Sequence, residues 1–138
     1  MKVVINDSKT GNSFQRELEA SKKSQVLGKK LGDEVEGTLF GLPGYTLKMT
    51  GGSDADGVPM RFDVPGVRRL YSVLSAGPGV KHLKAGNKLK KRVVGNTVSD
   101  RTAQINLQIA KYGEKPLTDL GFTPKVKEAK AKAEPAKA

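Results

Sequence analysis

The stretch Ala103-Gln104-Ile105-Asn106-Leu107-Gln108-Ile109 decides how the rest of the chain is read. Apolar and polar residues alternate through it. As a strand it sends Ala103, Ile105, Leu107 and Ile109 to one side and Gln104, Asn106 and Gln108 to the other. One face is dry; the other is neutral and hydrogen-bonding. Working outward, further strands are expected at Lys2 to Asn6, Ser13 to Leu18, Gly37 to Phe40, Tyr45 to Met49, Arg69 to Ser75 and Arg92 to Val98. Sixteen glycines and seven prolines punctuate the chain at short intervals, which favours short strands and turns over long helices. One internal helix is expected within Ala20 to Leu31, where Leu27 and Leu31 share a face and Gly28 and Gly32 limit its length. Together these elements predict a mainly β fold: a small antiparallel β-barrel, closed so that its edges are paired, with at most one or two short helices.

The chain has 138 residues, 36% of them apolar and 28% charged, which suits one globular core. Having no cysteine, it lacks the thiolates for disulfides, Fe–S clusters, cysteine-rich zinc sites and cysteine nucleophiles, and it suits a reducing compartment. A single histidine, His82, excludes a multi-histidine metal cage. His82 lies among lysines, where a solvated or phosphate-facing imidazole is expected rather than a general base. The apolar run near Met1 is too short for a signal peptide, and nowhere do eighteen apolar residues follow one another. A soluble, non-exported protein is expected, with no catalytic residue, metal or cofactor.

The charge is distributed unevenly. Twenty-five lysines and arginines face fourteen acids, a formal net charge of +11. Residues 1–63 carry nine of each sign and residues 100–124 three of each, so both segments cancel. Residues 64–99 hold Arg68, Arg69, Lys81, Lys84, Lys88, Lys90, Lys91 and Arg92 without one acid, and residues 125–138 hold five lysines against two glutamates. Concentration of like charge in one block and one tail is the footprint of a polyanion binder, whereas a merely solubilising surface interleaves signs. Gly77-Pro78-Gly79 and Gly86-Asn87 supply two reversals around Val80 to Lys91, so a projecting basic loop or hairpin is expected there. Residues 1–124 are therefore read as one β-rich domain. Residues 125–138, almost wholly Lys, Ala, Glu and Pro, form a flexible basic tail too apolar-poor to order itself.

The string Gly51-Gly52-Ser53-Asp54-Ala55-Asp56-Gly57-Val58-Pro59-Met60 lacks the Gly-Lys-Ser/Thr ending of a P-loop. As a calcium loop begun at Asp54 it has Pro59 at the sixth position and Pro65 at the twelfth, where glycine and glutamate belong. Asp54, Asp56 and Asp63 lack the partners of a magnesium nuclease site. A rigid turn is the plainer account, and one that permits close backbone approach to a ligand.

With Met49 and Thr50 before it, this string resembles the signature of ribosomal protein six of the small subunit, in its archaeal and eukaryotic family, G-G-x-D-x-x-G-x-P-M. Gly51, Gly52, Asp54, Gly57, Pro59 and Met60 meet every fixed position. Gly86 through Arg92, Val94 to Ser99, Ile105 to Ile109, Lys111 to Glu114 and Leu117 to Asp119 are similar to the same family in the same order. With only a short tail and no serine beyond Ser99, the chain resembles the shorter archaeal form. The resemblance implies a non-catalytic, β-rich body seated on RNA near the lower part of the small subunit. Its partners would be small-subunit ribosomal RNA and neighbouring ribosomal proteins. It also implies a monomer within the cytoplasmic ribosome, with no membrane and no small-molecule substrate.

Contact with RNA is expected from Arg68, Arg69, Lys81, Lys84, Lys88, Lys90, Lys91 and Arg92, arginines gripping phosphate bidentately and lysines acting as mobile point charges. The signature turn, Gly51 to Met60, either faces RNA or braces the fold. The seven aromatics are scattered singly, without a ribonucleoprotein-type stretch, and most are assigned to the core. Charge alone would equally suit a general RNA- or DNA-binding protein outside the ribosome, such as an RNA chaperone or chromatin-like protein.

Overall fold

The computed structural model describes residues 1–117 and 119–122. Strands β1 (Lys2–Asn6), β2 (Ser13–Glu17), β3 (Glu34–Glu36), β4 (Thr46–Asp54) and β7 (Thr102–Lys111) form a five-stranded sheet in the order β2-β1-β7-β4-β3. Strands β5 (Arg69–Leu74) and β6 (Leu89–Val94) form a separate antiparallel ribbon.

The alternation in the stretch quoted first sets the core. Ile105, Leu107 and Ile109 are buried, while Gln104 and Asn106 are half-buried and Gln108 is exposed. Register carries this dry face across the sheet, with Ile5 and Met49 both opposite Leu107 and each no more than 1% exposed. A one-residue slip of β7 would turn all three apolar side chains outward, at about 1.5–3 kcal/mol each. Val26, Leu31, Phe40, Leu42, Tyr45 and Phe122 come from irregular segments and complete this core.

The predicted closed antiparallel barrel is not what forms. The sheet is open and mixed: β1 runs parallel to β7, while the other pairings are antiparallel. Alternation tells which face a strand buries, but not the direction of its neighbour. β1 and β7 lie at opposite ends of the described chain, joined by a long crossover rather than a hairpin.

Other differences have local causes. Gly37–Phe40, expected as a strand, is a 3-10 turn, and the strand is the preceding Glu34–Glu36. Gly37 lies so close to Leu42 and Tyr45 that a Cβ there would sit 2.4 Å from the Leu42 carbonyl oxygen. The helix expected within Ala20 to Leu31 is a single turn, Ala20–Lys23 (α1). Beyond it, Gly28 N–H donates to the Val98 carbonyl and Leu31 N–H to that of Asn96, so these donors serve a distant segment of the chain rather than a helix. β6 begins at Leu89, because Leu89 pairs with Leu74, and ends before Gly95. The tail expected at residues 125–138 lies outside the described residues.

The ribbon has its own small core of Val64, Leu74 and Val93, with Leu70 and Val80 against it. Adjacent Val93 and Val94 point oppositely, Val93 into this cluster and Val94 into the main core. The base of the ribbon is thus held by both.

Candidate nucleic-acid interface

The signature string joins the two parts. Gly51 and Gly52 lie within β4, which continues to Asp54 rather than ending at Met49. The chain then turns back: Gly57 N–H donates to the Asp54 carbonyl and Asp54 N–H to that of Val58. Gly57 holds a φ of 77°, in the left-handed region. The returning segment runs between β4 and β6, with Met60 N–H on the Gly52 carbonyl, Val94 N–H on that of Pro59, and Arg61 N–H on that of Val94. A Cβ on Gly52 would come within 2.6 Å of the Gln104 carbonyl oxygen and 3.0 Å of the Met60 sulfur. Met60 itself is buried in the main core. The fixed glycine and methionine therefore form one packing contact.

Asp54 is 4% exposed, and its carboxylate accepts the Ala55 N–H at 2.6 Å. It also receives the Arg69 guanidinium through Nε and Nη2, while Arg69 Nη1 reaches Asp56 at 2.7 Å. Hydrogen bonds donated to Asp54 and then to Asp56 hold the guanidinium above its ordinary range, so Arg69 stays charged. Arg61 does the same nearby. It donates to both oxygens of Asp63, at 2.8 and 2.9 Å, and to the carbonyls of Ala76 and Pro78, at 3.1 and 3.0 Å. It fixes the start of the segment that links β5 to β6. The three aspartates weighed as a magnesium site are thus each engaged by a guanidinium, and the described residues contain no cluster of three or more His, Cys, Asp or Glu able to hold a metal.

The eight expected RNA contacts separate. Arg69 is turned inward as a brace between the signature turn and the ribbon. Arg68, Lys81, Lys84, Lys88, Lys90, Lys91 and Arg92 are all exposed. Among the described residues none of these seven has an acidic partner. Lys81, Lys84 and Lys88 stand on the linking segment, and Lys90, Lys91 and Arg92 on β6 itself. His82 is exposed beside them with a φ of 54°. Charge is therefore displayed over the linker and along the strand, not on a loop alone.

Most aromatics lie in or against the core, including Phe14, Phe40, Tyr45 and Phe122. Two do not: Phe62 is 72% exposed and Tyr71 59%. Tyr71 lies opposite Arg92 in register; Arg92 Nη2 donates to its hydroxyl at 2.8 Å, with the guanidinium carbon 5.0 Å from the ring centre. Sequence reasoning gave Tyr71 no role. The alternation of Leu70, Ser72 and Leu74 against Arg69, Tyr71 and Val73 separates Tyr71 from the buried leucine face, and the register with β6 then places it beside Lys90 and Arg92.

Proteins named small ribosomal subunit protein eS6 are similar along almost their whole length. That of Methanothermobacter thermautotrophicus is 45% identical over 119 residues, covering 86% of this chain and 93% of the relative. That of Methanocella arvoryzae is 39% identical over 130 residues, 94% and 92% respectively, and that of Archaeoglobus fulgidus 41% over 120 residues, 86% and 93%. The profile of the family Ribosomal protein S6e matches residues 1–121. With the signature turn, the ribbon it braces and the core strands all inside that match, the chain belongs to the Ribosomal protein S6e family.

Proposed function

We propose that the chain is seated on ribosomal RNA by the β5–β6 ribbon and its linker, with Arg68, Lys81, Lys84, Lys88, Lys90, Lys91 and Arg92 contacting phosphates. Family membership makes it a structural, non-catalytic, RNA-binding constituent of the small ribosomal subunit, working in the cytoplasm beside small-subunit RNA and neighbouring proteins. The observation that carries the ribbon reading is the group of seven exposed cations without acidic partners among the described residues, on an element braced at its base by Arg69 and Arg61. Each phosphate neutralised releases condensed counterions, and a rigid base keeps the charges in register with the RNA backbone. Selectivity then comes from RNA shape, since the deep, narrow major groove of A-form RNA hides base edges from side chains. The signature turn serves as the brace, and residues 125–138 add a basic tether.

Reversing Lys90, Lys91 and Arg92 to glutamate tests this. The expected result is loss of co-sedimentation with small subunits while circular dichroism stays native. Retained association at physiological salt would remove the ribbon as the contact surface. A general basic protein from outside the ribosome would be stripped from subunits by a high-salt wash; this chain should stay.

A further inference from the structure

We infer that the outer face of the β5–β6 ribbon takes one unpaired RNA base, stacked on Tyr71, with the neighbouring phosphates held by Arg92 and Lys90. This rests on the phosphate-contact reading and adds to it a site for a base. Register places Tyr71 opposite Arg92 and Val73 opposite Lys90 on one face of the ribbon, turned away from the Leu74–Val93 cluster. Tyr71 and Val73 are 59% and 62% exposed, so an aromatic ring and an aliphatic side chain lie next to one another in water. A surface that only neutralised phosphates would gain nothing from them. An apolar pair on β5 facing two cations on β6 matches a nucleotide, which presents a flat π face beside its backbone phosphates.

The cations also set the ring. The Arg92 bond to the Tyr71 hydroxyl fixes its orientation, and Lys90 Nζ lies 5.8 Å from the ring centre. Arg92 uses one Nη2 donor on the hydroxyl, leaving the rest of the guanidinium fork for phosphate. With no acid in residues 64–99, nothing on the ribbon itself competes for these cations. The base must be unpaired, because bases within a duplex are already stacked on their neighbours. Stacking on tyrosine tolerates any base, so the site recognises a bulged or looped nucleotide rather than a sequence.

The full chain is titrated with a short single-stranded RNA carrying one 2-aminopurine, and separately with that strand in a blunt duplex. Stacking on Tyr71 quenches the 2-aminopurine at saturation. Tyr71→Ala should weaken single-strand binding about tenfold and abolish the added quenching, without altering the salt dependence. Duplex affinity should change less than about twofold, since only phosphates are contacted there. Tyr71→Phe, which keeps the ring and loses the hydroxyl, should retain the quenching. If Tyr71→Ala leaves single-strand affinity unchanged, or weakens strand and duplex alike, the stacking site is refuted while phosphate contact stands. If the parent chain binds neither RNA, phosphate contact fails and the stacking site with it.

Discussion

Replacing Lys84, Lys88 and Lys90 together by glutamine separates cations that meet RNA from one that does not. All three are exposed on the linker and β6 with no acidic partner among the described residues. If each neutralises one phosphate, the plot of log affinity against log salt flattens by about 0.7–0.9 per residue, or about 2–2.7 for the triple variant. Between about 50 and 200 mM salt the parent should lose roughly 20- to 40-fold more affinity than the variant does. Filter binding of the full chain to a small-subunit RNA transcript, across a salt series, measures this directly. Arg69→Gln is the control. On charge count alone it should flatten the slope like any one of the lysines, but its guanidinium is held by Asp54 and Asp56. It should therefore leave the slope as it is and lower the melting temperature, because the buried Asp54 carboxylate loses its partner. An unchanged slope in the triple variant, or a flatter one in Arg69→Gln, would refute the division of the basic block into contact and brace.

Three further outcomes are expected. Gly52→Ala should cost about 3 kcal/mol by urea unfolding, because its Cβ meets a backbone carbonyl at 2.6 Å. Gly57→Ala, which has open space but a φ of 77°, should cost only about 1–2 kcal/mol. Equal losses would contradict the packing role of Gly52. Asp7 is buried, which raises its pKa, yet hydrogen bonds from Tyr112, Thr10 and the backbone of Lys9 and Thr10 hold it below the ordinary 3.8. Its folded pKa being depressed, its contribution is present above the ordinary value and lost as pH falls through the lower one. The melting-temperature gap between the parent and Asp7→Asn, set by about 2 kcal/mol of charge-assisted bonding, should thus hold near neutrality and close below 3.8. A gap that persists in acid would refute it. Deleting residues 125–138 removes five lysines and two glutamates. Melting should be unaltered, and the salt slope should flatten by no more than about 2.7, the limit for three net charges; loss of cooperative melting would make the segment part of the fold.

What the sequence made legible follows from how local the physics is. Period-two alternation identified β7 and its buried side, and Lys2–Asn6 was placed with its correct bounds, because strand faces are decided residue by residue. Parallel pairing of β1 with β7 is a relation between residues 2–6 and 104–108, and no local pattern encodes it. The same limit applies to the basic block. Counting found all eight cations, but Arg69 is distinguished only by Asp54 and Asp56, fifteen and thirteen residues away and brought near by the turn between them. Leu89 to Lys91 fall in the projecting loop or hairpin expected from charge and turns, ahead of the strand expected at Arg92; cross-strand pairing with Leu74 to Ser72 makes them strand. Tyr71 was missed because an isolated aromatic looks like core until the opposite strand shows which face it occupies.

The parallel join has a consequence for how the protein is made. The inner edge of β1 can be covered only by a strand ending at Lys111, so during synthesis it stays open until most of the chain has left the exit tunnel. Folding must close the widest sequence separation in the sheet as a late event, which is slow on entropic grounds. A newborn chain of this kind, cationic and with an unfilled strand slot, is open to polyanions and sticky neighbours until β7 arrives.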